Sequence, residues 1–287
     1  MAKKGDFSWH ELISRLPEKR PLIAGIVNAT PDSFSDGKGS LETAERVAFA
    51  LQLLNEGADI LDIGAESTRP GAAEVAPDEE WRRLEGVLSG ILTQVPDAII
   101  SVDTRHASTA EKSLLAGAKI INDVSGLTFD RSMAEVVSTH KCGVIISHTT
   151  ADPEIMQQKE NMLDKNAVQL VQKALEKLVD KAVGKNIARS CIMLDVGIGF
   201  GKSRGANYEL LRNAHWFEEK FQLPFCWGVS RKSLLASEND TLAKRIAGSL
   251  ALAVKLAEQN VSLLRVHDAA QTVAALSAAR ELSGANR

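Results

Sequence analysis

Short apolar runs recur along the chain, each followed by a polar loop and then a stretch with helical spacing. The first run, Leu22 to Val27, is continuously apolar, as expected of a strand covered on both faces. It stops at Asn28, and the loop N-A-T-P-D-S-F-S-D-G-K-G leads to a helix over Ser40 to Glu56. That helix is apolar at Leu41, Ala44, Val47, Leu51 and Leu54, and Gly57 stops it. Ala58 to Ile63 reads as the second strand, followed by G-A-E-S-T-R-P-G and a helix over Pro77 to Leu92. The first turn of that helix carries Asp78, Glu79 and Glu80, where negative charge favours the helix dipole. Further strands are predicted at Ala98 to Val102, Ala118 to Ile121, Gly143 to Ile146, Ile192 to Leu194, Phe225 to Trp227 and Val261 to Val266. Helices alternate with them near Ser108 to Ala116, Ser132 to His140, Met162 to Val183, Asn207 to Phe217, Thr241 to Glu258 and Ala269 to Leu282.

Strands alternating with helices imply parallel pairing, and about eight such units close into a (β/α)8 barrel, the TIM barrel of the α/β class. An open doubly wound sheet is the competing arrangement. Neither an internal repeat nor a linker interrupts the pattern, so the expectation is one barrel domain over residues 21–287 after an N-terminal extension, 1–20.

Composition narrows the partners. A net charge of -3 with no basic run argues against nucleic acid. No apolar run is long enough to span a membrane, and the N-terminal residues lack a signal-peptide core. The 3 cysteines, Cys142, Cys191 and Cys226, lie in or beside apolar runs without a C-x-x-C pair. They read as reduced core thiols of a cytoplasmic protein.

Polar groups gather directly after the apolar runs: Asn28, Glu66 with Thr68 and Arg69, Asp103, Asn122, Asp195, Ser230 with Arg231 and Lys232, and Arg265 with His267. In a barrel these positions share the carboxyl-terminal mouth, where active sites are built. Any single Asn or Asp there could instead be a turn or cap residue, and Asp268 reads as the cap of the last helix. Asp103, Asn122 and Asp195 offer acceptor edges suited to a flat heterocycle with ring N–H and amine donors. Lys232, Arg265 and His267 suit an anionic leaving group, and Asn28 offers a hard oxygen suited to Mg²⁺ beside a phosphate. Neither zinc spacing nor a Ser-His-acid order is legible, so substitution with loss of phosphate fits better than hydrolysis by a protein nucleophile.

The stretch C-I-M-L-D-V-G-I-G-F-G-K-S, Cys191 to Ser203, looks at first like a phosphate loop. A Walker loop would need Gly where Val196 stands, and glycines at 197, 199 and 201 do not follow G-x-G-x-x-G. Its acid, Asp195, is therefore the candidate, with the glycines letting the loop turn over the mouth.

The segments N-A-T-P-D-S-F-S-D-G (from Asn28), E-S-T-R-P-G (from Glu66), I-S-V-D-T (from Ile100), I-N-D-V (from Ile121), G-I-G-F-G-K (from Gly197), S-R-K-S (from Ser230) and R-V-H-D (from Arg265) closely resemble dihydropteroate synthases, in order and over Pro21 to Asp268. The resemblance implies a (β/α)8 barrel that joins dihydropterin pyrophosphate to p-aminobenzoate, yielding dihydropteroate and pyrophosphate in folate synthesis. It implies that Asp103, Asn122, Asp195 and Lys232 hold the pterin, with Asp103, Asp195 and Lys232 as catalytic residues. Asn28 would bind Mg²⁺ and, with Arg265 and His267, the diphosphate. Thr68, Arg69, Phe200 and Ser230 would border p-aminobenzoate. A homodimer is implied as well, and the last two helices carry apolar positions suited to it.

Two departures stand out. Val196 replaces the usual Pro after the Asp, and S-H-T-T-A at Ser147 to Ala151 replaces M-H-M-Q-G. The competing readings are an inactive paralogue that only binds pterin, favoured by that changed segment, and a pterin-dependent methyltransferase-type barrel. The mobile loops expected after the first two strands count against the latter.

Overall fold

A computed structural model describes residues 6–16, 20–29, 43–66, 74–151, 155–232 and 241–284. Eight parallel strands close in chain order into a barrel: β1 Leu22–Asn28, β2 Ile60–Gly64, β3 Ile100–Asp103, β4 Ile120–Asp123, β5 Gly143–Ser147, β6 Ile192–Asp195, β7 Phe225–Trp227 and β8 Leu263–Val266. The ring shuts where β8 pairs with β1, Leu22 opposite Leu263. The expected (β/α)8 barrel is what forms, and the doubly wound sheet is not.

Period-two alternation sorts each strand into two faces. Ile23, Val27, Leu61, Ile63, Ile100, Val102, Ile192, Leu194, Phe225 and Leu264 point outward into the large core under the helices. A short helix, α1 Trp9–Ser14, precedes the first strand, and the shell consists of α2 Thr43–Asn55, α3 Pro77–Gln94, α4 Ala107–Leu115, α5 Met133–His140, α6 Ala167–Gly184, α7 Arg204–Arg212, α8 Ala214–Phe221, α9 Leu242–Ala257 and α10 Ala269–Leu282. Leu22, Ala24, Ile60, Ile120, Ile145, Met193, Cys226 and Leu263 form a second, separate apolar cluster inside the barrel.

Trp9 of α1 belongs to that inner cluster at 1% exposure. Its indole Nε1 donates to the Cys191 carbonyl at 2.9 Å, and Phe7 packs edge-on against the ring. The segment read from sequence as a mere extension thus contributes a side chain to the inner core. Two helix expectations are corrected. The stretch near Asn207 to Phe217 is two helices, α7 and α8, meeting at Asn213. The helix expected from Met162 begins only at Ala167, because Asn166 takes left-handed backbone and Leu163 bridges to Lys202. Cys142, Cys191 and Cys226 are all buried and unpaired. Among the described residues no helix is long and apolar enough to cross a membrane.

Candidate active site

Strand register brings several predicted residues to one level. Asn28 pairs with Gly64, Gly64 with Asp103, and Asp103 with Asn122. On the far wall Asp195 pairs with Ser147 of β5 and with Cys226 of β7. Arg265 starts lower, opposite Ala24 of β1, and its long side chain spans the interior. Its Nη2 donates to Asp103 Oδ2 at 2.8 Å and its Nε to Asp62 Oδ2 at 2.5 Å. Asn122 Nδ2 also donates to Asp62 Oδ2, at 3.2 Å.

Asp62 was not anticipated. It lies one alternation below the end of β2, inside a run read as apolar, and is 1% exposed. The available signal was a charged residue between Leu61 and Ile63, at the position that faces inward whenever Ile60 does.

Burial drives the electrostatics. It pushes the Asp103 carboxyl up to about 7, with Arg265 opposing and Asp62 adding to the rise. Asp195 is also raised by burial, against the pull of Lys232 and the Gly197 N–H, which donates to Oδ1 at 2.7 Å. Lys232 is drawn down to about 8 by burial, with Asp195 resisting. Burial works against charge on Arg265, yet Asp62 and Asp103 outweigh it and hold the guanidinium ionised.

The glycine loop after β6 folds over this set. Gly197, Gly199 and Gly201 all take positive φ, and side chains at two of them would collide with neighbours. A Cβ on Gly197 would fall 1.9 Å from the His148 carbonyl oxygen, and one on Gly201 would fall 1.6 Å from Thr150 Oγ1. The loop presents the Ile198 carbonyl to the Lys232 ammonium and the Phe200 ring to the same group, 4.7 Å from the ring centre.

A recessed pair of carboxylates, an amide and two cations at the mouth of a parallel barrel is an arrangement that comparison with known proteins can place. Residues 24–267 match the pterin binding enzyme family. Dihydropteroate synthase of Neisseria meningitidis serogroup C is 40% identical over 265 residues, covering 90% of this chain and 92% of that one. The chain belongs to the dihydropteroate synthase family. The Escherichia coli K12 dihydropteroate synthase is 37% identical over 257 residues, 89% of each chain. A solved structure of Xanthomonas albilineans dihydropteroate synthase with 4-aminobenzoic acid superimposes with a TM-score of 0.82 at 35% identity, covering 92% of this chain and 93% of that one. Membership makes the chain a transferase of folate biosynthesis with a pterin-binding barrel.

Within the synthase fold the remaining predicted residues divide. Ser230 Oγ accepts from the His267 N–H at 3.1 Å and lies 3.0 Å from His267 Nδ1, so the two form one unit between β7 and β8. Asp268 was expected to cap α10, but its side chain makes no capping bond. Both its oxygens instead accept from Arg231, at 3.0 Å from Nε and 2.5 Å from Nη2. Glu66 engages Arg105 through both oxygens and accepts from the Val75 N–H, which ties the end of β2 to the loop after β3. Next to it Glu80, fully buried, accepts from Thr104 and meets His106 Nδ1 at 3.1 Å. Thr68 and Arg69 lie outside the described residues. Of the departures from the family pattern, Val196 is fully buried in the outer core. The segment Ser147 to Ala151 underlies the glycine loop through His148 and Thr150.

Proposed function

We propose that the chain condenses a 6-hydroxymethyl-dihydropterin diphosphate with p-aminobenzoate at the barrel mouth, and that the residues divide the work as follows. Asp103, Asn122 and Asp195 accept from the ring N–H and amino donors of the pterin, and Lys232 donates to its rim. Asn28, His267 and Arg265 face the diphosphate. Arg265 Nε and Nη2 are committed to Asp62 and Asp103, while Nη1 makes no hydrogen bond among the described residues and is the edge left for phosphate. Phe200 and Ser230, with Thr68 and Arg69, border p-aminobenzoate, the compound held by the Xanthomonas relative. The observation that carries the reading is the interior placement of Asp103 and Asp195, two partly buried carboxylates of raised pKa on opposite walls.

The C–O bond to the diphosphate breaks with positive charge developing on the pterin, and fixed carboxylates stabilise that charge more than they do the neutral ground state. The aromatic amine then attacks the exocyclic carbon and releases one proton to the departed pyrophosphate or to water, so no protein nucleophile is required. A partly exposed amide oxygen at Asn28, beside the groups assigned to phosphate, fits Mg²⁺, which takes few protein ligands and engages substrate phosphates. When bound there it would neutralise the leaving group. A homodimer through the exposed sides of α9 and α10, in the cytoplasm, belongs to the same proposal.

Purified protein, dihydropterin diphosphate, p-aminobenzoate and Mg²⁺ should release pyrophosphate in equal amount to dihydropteroate. Retained pterin binding without release would leave only a pterin-binding role. Asn28→Ala should raise the Mg²⁺ concentration giving half-maximal rate by about tenfold, and an unchanged titration would remove Asn28 from the metal.

A further inference from the structure

Lys202 closes the glycine loop, and its sequence position suggests a phosphate ligand. The structure puts it elsewhere: 4% exposed, with its ammonium turned back under the loop. Nζ donates to three main-chain carbonyls, those of Gly197 at 2.9 Å, Phe200 at 2.9 Å and His148 at 3.2 Å. An ammonium has three donors, so none remains for a phosphate.

We propose that Lys202 is a positioning residue for the second substrate: its carbonyl-caged ammonium fixes the main chain at Phe200 and so sets the ring that borders p-aminobenzoate. The inference rests on the placement of Phe200 given above.

The geometry supports this in three ways. The cage spans two segments, since His148 follows β5 while Gly197 and Phe200 follow β6. It therefore joins the loop to the segment beneath it. The rest of the loop is anchored independently: Asn207 Oδ1 accepts from the Gly199 N–H at 2.7 Å, and Gln157 and Leu163 donate to the Gly199 and Gly201 carbonyls. Losing the ammonium should therefore shift Phe200 without releasing the whole loop. The loop also lies between two lysines, with Lys202 holding the Phe200 carbonyl and Lys232 standing over the Phe200 ring. Burial pulls Lys202 down to about 7 and Lys232 pulls the same way, while Asp195 and the three accepting carbonyls favour the ion.

Steady-state pyrophosphate release on wild type, Lys202→Met, Phe200→Ala and the double variant tests the proposal, with each substrate varied at saturation of the other. Lys202→Met keeps an unbranched stem and removes the charge. It should raise the KM for p-aminobenzoate about tenfold, with kcat and the KM for the pterin substrate within about threefold. If Lys202 acts through Phe200, the double variant should show about the increase of the larger single variant rather than the product of the two. Multiplying effects, or a Lys202→Met KM within about twofold of wild type despite a lowered Tm, would overturn the positioning role. A Phe200→Ala KM equal to wild type would instead remove Phe200 from the aminobenzoate wall, and the proposal would fall with it. Should Lys202→Met not fold, Lys202→Gln keeps a donor for one carbonyl and should give a smaller rise in the same KM. An unchanged KM in that variant also refutes the role.

Discussion

Replacing Asp103 by asparagine separates what the carboxylate does for catalysis from what it costs in stability. Burial holds the native carboxyl at about 7 rather than its ordinary 3.8. The unfolded chain therefore releases this proton near pH 4 while the native protein keeps it to about pH 7. Stability falls over that window as pH rises, because the unfolded state binds fewer protons. The full interval, at about 1.4 kcal/mol per tenfold, bounds the cost above pH 7 at about 4 kcal/mol. Between pH 5 and pH 8.5 the portion still to be lost is at most about 3 kcal/mol. Coupling to Asp62 and Arg265 reduces it, and about half is a realistic expectation. The neutral amide of the variant would carry no such charge. The Tm of Asp103→Asn relative to wild type should therefore rise by about 3 °C, and by no more than about 6 °C, between pH 5 and pH 8.5, at about 2 °C per kcal/mol. The absolute offset includes the weakened Arg265 contact, so the pH dependence of the difference is the decisive quantity in paired thermal melts. The same variant should lose about a hundredfold or more in kcat, as removal of a group aimed at developing charge does. A Tm difference that is flat with pH would refute the raised carboxyl, and near-wild-type turnover would refute its catalytic role.

The other expectations concern scaffold elements around the site. Gly197→Ala places a methyl group against the His148 carbonyl in left-handed backbone; it should cost about 2–4 kcal/mol and raise the KM of both substrates, measured by urea melts and kinetics. Arg231→Ala strands the largely buried Asp268 carboxylate; about 3 kcal/mol of stability should be lost at neutral pH, and a loss below about 1 kcal/mol would make the pair incidental. Trp9→Ala empties part of the inner cluster and should lower stability by about 3–5 kcal/mol while leaving the KM values within about twofold, since the cavity opens at the end of the barrel away from the mouth.

The alternation of apolar runs and helical spacing made the barrel legible, because each strand is packed on its outer face and at its lower inner positions by apolar side chains. Strand ends were legible for the same reason: Asn28, Asp103, Asn122 and Asp195 interrupt runs that are otherwise apolar. Contacts set by closure of the ring were not. Asp62 and Arg265 are 203 residues apart, and only the barrel brings them together. Trp9 reads as an isolated aromatic in a polar stretch, since what it fills is a cavity made by strands far along the chain. The roles of the two lysines were separable only in part. Lys232 stands after a strand end and reads as a site residue, but nothing local in G-I-G-F-G-K announces that Lys202 points back at three carbonyls.

The charge balance of the interior explains why such a costly arrangement suits this reaction. Among the described residues Lys232 and Lys202 both act on Asp195, whereas Asp62 and Asp103 have one guanidinium, Arg265, between them, so the excess of carboxylate is local to that pair. Arg265 is shared between Asp62 and Asp103, which leaves Asp103 raised despite a guanidinium at 2.8 Å. A neutral pterin relieves little of that excess, whereas a pterin becoming cationic as its C–O bond breaks supplies the missing positive charge. In the proposed complex that charge would draw Asp103, which otherwise keeps its proton to about pH 7, into its ionised form and strengthen its hydrogen bond to the ring. The groups that respond to that charge are held in position before substrate arrives, and the cost of burying them is met by the folding of the barrel rather than during the chemical step.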